Sequence, residues 1–167
     1  MFTYGQVEAA LAKLHGVDSR ALGAFRGRIK HFQRLGIVPS SPGRGRKISY
    51  EMEHVLIWTF CLELSQFGID PTIIERFVRA SGYAIIAEFE KASRLTEDIY
   101  WAFYPNIMSN WFYSDDGLFG TIRTDCFSAS QVSATKIEVE FGRRVSLINL
   151  TKLKKELDAA LEELKDD

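Results

Sequence analysis

Asp18-Ser19-Arg20-Ala21-Leu22-Gly23-Ala24-Phe25-Arg26-Gly27-Arg28-Ile29-Lys30-His31-Phe32-Gln33-Arg34-Leu35-Gly36 is the stretch on which the reading of this chain turns. Asp18 suits an N-cap, because a short carboxylate can accept from the first free N–H groups of a helix. Leu22, Phe25, Ile29 and Phe32 recur at three- and four-residue spacing and so share one helical face. At about 100° per residue, Gly23, Gly27, Lys30 and Arg34 fall on the opposite side, flanked by Arg20, Arg26 and His31. Gly36 and then Pro39 act as stop signals. Glycine inside a helix costs about 0.5–1 kcal/mol against alanine. Either the two glycines serve a surface that something approaches closely, or one of them marks a bend.

A glycine-punctuated basic segment follows, Pro42-Gly43-Arg44-Gly45-Arg46-Lys47. Ile37-Val38 before it and Lys47-Ile48-Ser49-Tyr50 after it read as the short strands of a hairpin whose tip carries Arg44, Arg46 and Lys47. Upstream, Thr3 and Gln6 form the pattern of a capping box, with Phe2 at the staple position. Val7, Ala10, Leu11 and Leu14 then line one face of a short helix that His15-Gly16 closes. Two helices joined by a glycine turn, the second one basic, make a helix-turn-helix arrangement.

Net charge over all 167 residues is −1, which by itself argues against a polyanionic partner. Its distribution argues the other way. Residues 1–50 hold nine Lys/Arg and two acids, Glu8 and Asp18, for +7; the remainder is then 12 − 20 = −8. A basic head on an acidic body directs one end toward polyanions. Cys61 and Cys126 lack a CxxC partner, and with His15, His31 and His54 they show no metal-ligand spacing. Two ordinary thiols in a reducing compartment are expected. No cationic n-region with an apolar h-region opens the chain, so no secretory signal is expected. The longest apolar stretch, near Val55 to Leu64, falls short of the roughly 20 residues that span a bilayer.

Glu51-Met52-Glu53-His54 opens a third helix with acids at its positive end. Val55, Leu56, Trp58, Thr59, Leu62 and Leu64 supply its buried stripe, and Phe67-Gly68 ends it; Trp58 is expected in the core and His54 on the surface. Asp70-Pro71 is an N-cap followed by a first-turn proline, opening a fourth helix through Ile73, Ile74, Phe77 and Val78 to Ser81-Gly82. Residues 2–78 in this order resemble the winged-helix DNA-binding domain of the MerR family. That family's Leu-Arg-Tyr-Tyr-Glu-Arg-x-Gly-Leu pattern is echoed by Ile29-Lys30-His31-Phe32-Gln33-Arg34-Leu35-Gly36-Ile37. Its wing, glycine then basic residue then tyrosine before an acidic helix start, is echoed with one extra residue by Gly45-Arg46-Lys47-Ile48-Ser49-Tyr50-Glu51. Leu64, Gly68-Ile69-Asp70-Pro71 and Ile74 follow the family's order of third and fourth helices. The second helix here is longer than the family's, and His31-Phe32 stands at its double-tyrosine position.

After Gly82, Ala84 to Leu95 reads as a further helix. An aromatic cluster follows: Tyr100, Trp101, Phe103, Tyr104, Trp111, Phe112, Tyr113 and Phe119. It is expected as core or dimer interface, with a small-molecule pocket as the other reading. Asp115-Asp116-Gly117 is a turn. Thr121 to Phe127 reads as a strand, and Lys136 to Phe141 as another, paired across Gly142 with Arg143 to Leu150. Leu150, Leu153, Leu157, Leu161 and Leu164 stripe a final amphipathic helix with Thr151 as its N-cap. Two heptads are too few for an isolated coiled coil, so the stripe packs on its own sheet or joins a dimer interface, and dimerisation is the expectation.

The expected fold is therefore mainly α with a small β part. An N-terminal MerR-like winged helix-turn-helix domain covers 1–80. An α+β dimerisation, effector or partner-binding region covers 81–167, a small antiparallel part ending in the amphipathic helix. The expected function is a bacterial, cytoplasmic and nucleoid-associated transcription regulator that binds double-stranded DNA as a homodimer, with RNA polymerase or another protein as a further partner. The DNA-binding set is Thr3, Tyr4, Arg20, Arg26, Arg28, Lys30, His31, Arg34, Arg44, Arg46, Lys47 and Tyr50. Arginine suits guanine edges, and helix N-termini suit phosphate. A DNA-packaging or architectural protein with an acidic partner-recruiting tail is the alternative. No nucleophile–base pair, phosphate loop or metal set is apparent, so neither an enzyme nor a cofactor is expected.

Overall fold

The computed structural model describes residues 1–39, 48–104, 111–114, 117–120, 123–132 and 145–164. They are mainly helical. In chain order they form α1 (Tyr4–Leu14), a 3-10 turn (Ser19–Ala21), α2 (Leu22–Arg34), α3 (Met52–Gln66) and α4 (Pro71–Arg94). Strands β1 (Ile99–Tyr104), β2 (Trp111–Ser114), β3 (Gly117–Gly120) and β4 (Arg123–Ser128) follow, then a second 3-10 turn (Ala129–Gln131), β5 (Ser146–Asn149) and α5 (Leu150–Glu163). The chain divides into two compact units, Met1–Gly82 with Lys155–Asp167, and Tyr83–Lys154.

The helix ends of the first unit share one device. Gly16, Gly36 and Gly68 take left-handed backbone, with φ of 58°, 76° and 75°. After each comes an aliphatic residue whose N–H reaches back five residues: Val17 to the Ala12 carbonyl (2.9 Å), Ile37 to Phe32 (3.2 Å) and Ile69 to Leu64 (3.4 Å). These are Schellman ends, which satisfy carbonyls that would otherwise be orphaned and turn the chain sharply. At the other end of α1, the Thr3 and Gln6 side chains close a capping box. α3 is buried at every position from Val55 to Leu62 and at Leu64. A helix that is apolar all round belongs at the centre of a core, and Val7, Leu11, Ile29, Phe32 and Ile74, none of them exposed, complete that unit's interior.

Four details differ from the sequence reading. The second helix starts as a 3-10 turn, with the Asp18 carboxylate accepting from the Arg20 N–H at 2.8 Å. The change of winding therefore falls at Ala21–Leu22 rather than at a glycine. Ile37 and Val38 form no strand, because they complete the Schellman end of α2 and Val38 is buried. Tyr50 instead makes an isolated antiparallel bridge with Phe2, each N–H donating to the other's carbonyl at 2.8 Å. α4 does not stop at Gly82 but runs unbroken to Arg94. The buried series Ile74, Phe77, Val78, Ile85, Phe89 and Ala92 continues at helical spacing through the glycine, and that burial outweighs its cost of about 1 kcal/mol.

In the second unit β1 is the centre of an antiparallel sheet of order β4-β1-β5, and β2 pairs with β3. β1 comes from the aromatic cluster, which the sequence reading did not place on a strand. Its Trp101, Ala102 and Phe103 are buried, and Ala102 packs with Phe127, Val132, Val145 and Leu147. The side chains of Tyr104, Trp111, Phe112, Tyr113 and Phe119 lie outside the described residues, as do Asp115, Asp116, Lys136 to Phe141, Gly142, Arg143 and Arg144. Asn149, not Thr151, caps α5, its Oδ1 accepting from the Lys152 N–H at 2.9 Å. Thr151 is buried, and its hydroxyl accepts from the Ile99 N–H at 3.0 Å. The stripe Leu150, Leu153, Leu157 and Leu161 is buried within the single chain, with Leu164 half-buried. Of the two roles that stripe could take, packing within one chain is seen for these four leucines.

Candidate nucleic-acid interface

The nine Lys/Arg of residues 1–50 sort into five groups. Arg20 pairs with Asp18, Nε to Oδ1 at 2.9 Å. Arg26 forks onto Glu8 of α1, with Nη2 donating to Oε1 at 2.6 Å and Nε to both oxygens at 2.9 Å. Each carboxylate raises the guanidinium's hold on its proton. Lys13 pairs with Glu163. Arg44, Arg46 and Lys47 lie outside the described residues. Arg28, Lys30 and Arg34 pair with no carboxylate among the described residues.

Those last three do not share a face. Lys30 and Arg34, both exposed, border a groove of about 340 Å³ with Gly27 and Gln33. Arg28 is about 200° around the helix from Lys30 and lines a different recess. Among the described residues, an added Cβ at Gly23 or Gly27 would meet nothing within 4 Å. The exposed side of α2 is thus a low glycine track with two cations standing beside it.

Gln33 was not singled out from the sequence, yet it organises this face. Its Nε2 donates to the Tyr50 hydroxyl at 2.8 Å and to the Pro39 carbonyl at 3.3 Å. Pro39 and Tyr50 flank the basic segment in the chain, so one amide ties both its flanks to α2 between Lys30 and Arg34. The signal was the position: Gln33 follows Lys30 by three residues and precedes Arg34 by one, on the edge of the cationic side.

The remaining candidates are placed as follows. Thr3 is exposed, but its hydroxyl and N–H serve the α1 cap. His31 is half-buried and near enough to Asp70 to help hold that carboxyl below its usual range, behind the larger effect of Thr72. Tyr50 is buried, with its ring 5.0 Å from that of Trp58. Tyr4 packs edge-on to Trp58 at 6.4 Å, and its hydroxyl is buried. Burial first, and the Glu8 carboxylate second, push the Tyr4 pKa up to about 12.

Tyr4 therefore links stability to alkaline pH. An unfolded tyrosine loses its proton near 10, whereas folded Tyr4 keeps it to about 12. Between those values the unfolded state binds fewer protons, so stability falls as pH rises. Denaturant midpoints measured from pH 8 to 11.5 are expected to drop above about pH 10, and Tyr4→Phe to flatten that drop.

Neither thiol is set up to react. Cys61 is fully buried and Cys126 half-buried, and burial raises both well above the ordinary thiol range, which keeps them protonated and poorly nucleophilic. Among the described residues no group of His, Cys, Asp and Glu is arranged to hold a metal ion, and no helix is long and apolar enough to cross a membrane. Compared with known proteins, the chain matches no protein-family model, and no curated protein matches it in sequence.

Proposed function

We infer that this protein binds double-stranded DNA through the exposed side of α2 and the basic segment after it, and acts in transcriptional regulation. The observation that carries the reading is the pair Lys30 and Arg34, exposed and paired with no carboxylate among the described residues, beside the glycine track of Gly23 and Gly27. A duplex backbone needs close approach and cations without competing carboxylates. The winged-helix reading of MerR type is supported by the order of helix, glycine end, basic segment and acidic helix start. Because one domain reads few base pairs, two copies on a two-fold site are the natural arrangement. The leucine stripe of α5 is already covered, so those copies would meet elsewhere.

The test is a salt series of binding to a fluorescent duplex. Lys30, Arg34, Arg44, Arg46 and Lys47 together predict a slope of about −4.5 per copy for log K against log salt. A slope near zero, or no binding at low salt, overturns the reading. Sequence selectivity between genomic fragments separates a regulator from a packaging protein, which binds any duplex of sufficient length.

Gly27→Ala separates stability from recognition. With nothing within 4 Å of the new methyl, the helix gains about 0.5–1 kcal/mol. If the duplex lies against this track, affinity falls severalfold in the same variant. Opposite signs in a denaturant melt and a binding titration are the expected outcome; unchanged affinity means that the duplex stays clear of Gly27.

A further inference from the structure

Gln33 stands between Lys30 and Arg34 on α2 and borders the same groove. Its amide is held in one orientation. The Pro39 carbonyl can only accept, so the group facing it at 3.3 Å is the amide NH2. The same nitrogen lies 2.8 Å from the Tyr50 hydroxyl, and both of its hydrogens are therefore committed. Tyr50 is itself fixed, buried against Trp58 with ring centroids 5.0 Å apart and bridged through its backbone to Phe2.

The oxygen of that amide is left over. Gln33 Oε1 has no hydrogen-bond partner among the described residues, and it keeps surface open to solvent. An unrestrained glutamine reads adenine with both groups at once, its NH2 on N7 and its oxygen on the N6 amino group. Gln33 has no hydrogen to give, so toward a base edge it is an acceptor alone, as a carboxylate is. An acceptor alone finds its donor in the N4 amino group of cytosine. Adenine would set its N7 lone pair beside the amide oxygen, and guanine and thymine offer only acceptors at O6, N7 and O4. Lys30 and Arg34, each within one turn of Gln33, are donors suited to the guanine paired with that cytosine.

We propose that Gln33 selects a C·G pair in the major groove, its Oε1 accepting from cytosine N4, and that Tyr50 sets this preference by holding the amide nitrogen. The inference rests on the reading of α2 as the face that meets duplex DNA. Gln33 is then the group that determines specificity, and Tyr50, which is buried, is a positioning residue that acts through it.

The test is selection by the full chain from a pool of duplexes with a randomised core of about 20 base pairs, followed by titration of single-base variants of the selected site. The wild type is expected to enrich a site with one position at which cytosine is favoured about tenfold over the other bases. Gln33→Met should lose that preference, while the other positions and the salt slope keep theirs. Tyr50→Phe keeps the ring on Trp58 and frees an amide hydrogen, so the same position should move from cytosine to adenine. A merely structural tie would weaken all sequences alike and move no preference. The proposal is overturned if Gln33→Met selects the wild-type site unchanged, or if the position it controls is not a cytosine. Tyr50→Phe leaving cytosine in place overturns it as well. Duplex binding with no enriched site overturns it and spares the DNA reading, whereas no retention of duplex at low salt overturns both.

Discussion

Combining Lys30→Ala with Arg34→Ala is expected to weaken duplex DNA binding by about 100-fold near 0.1 M salt and to flatten the salt slope by about 2. Both side chains are exposed and border the same groove on α2, and each neutralised phosphate contributes close to one unit of slope. Neither residue packs in the core, so the melting curve should move by no more than about 0.5 kcal/mol. Arg20→Ala is the matched control, because Arg20 is occupied by Asp18 and its loss should leave affinity nearly unchanged. Arg26→Ala should act on the fold instead, releasing a Glu8 carboxylate that is 13% exposed. If the double variant binds as the wild type does, with the same slope, α2 does not face the duplex.

The ends of the helices were legible because local chemistry decides them. Glycine followed by Val17, Ile37 or Ile69 is a two-residue signal, and the hydrogen bonds it makes are all within six residues. What local signals could not decide was competition at longer range. Gly82 reads as a terminator, yet the apolar series on both sides of it keeps the helix whole. Ile37-Val38 has strand composition, but the cap of α2 uses it first. Thr151 suits a cap until the Ile99 N–H, far away in sequence, takes its hydroxyl.

The candidate site shows the same division. The wheel placed Gly23, Gly27, Lys30 and Arg34 together, and the structure has the two glycines open and the two cations exposed. Counting charge could not say which arginines were occupied, since the Glu8–Arg26 contact joins residues 18 apart across two helices. Nor could it show that Tyr4 and Tyr50, apparently surface groups beside a basic face, are turned inward onto Trp58. Aromatic residues carry both meanings, and only packing separates them.

That packing yields the largest expected effect on stability. Trp58 has no exposed surface, and its ring lies 5.0 Å from Tyr50 and 6.4 Å from Tyr4. Trp58→Ala removes the largest side chain of the buried stretch of α3 and is expected to cost about 3–5 kcal/mol, cavity included. Against a total of about 5–15 kcal/mol for a typical domain, that loss leaves a large share of molecules unfolded or nearly so. Trp58→Phe should cost far less. It keeps most of the ring contact and removes an indole N–H that has no hydrogen-bond partner among the described residues, a group that is expensive to bury unmade. The loss should also reach α2, because Tyr50 carries the hydroxyl that Gln33 holds beside Lys30 and Arg34. Chemical denaturation of the three proteins, read at a common denaturant midpoint slope, checks this. A cost below about 1 kcal/mol for the alanine variant would mean that the aromatic trio is not the keystone of the first unit.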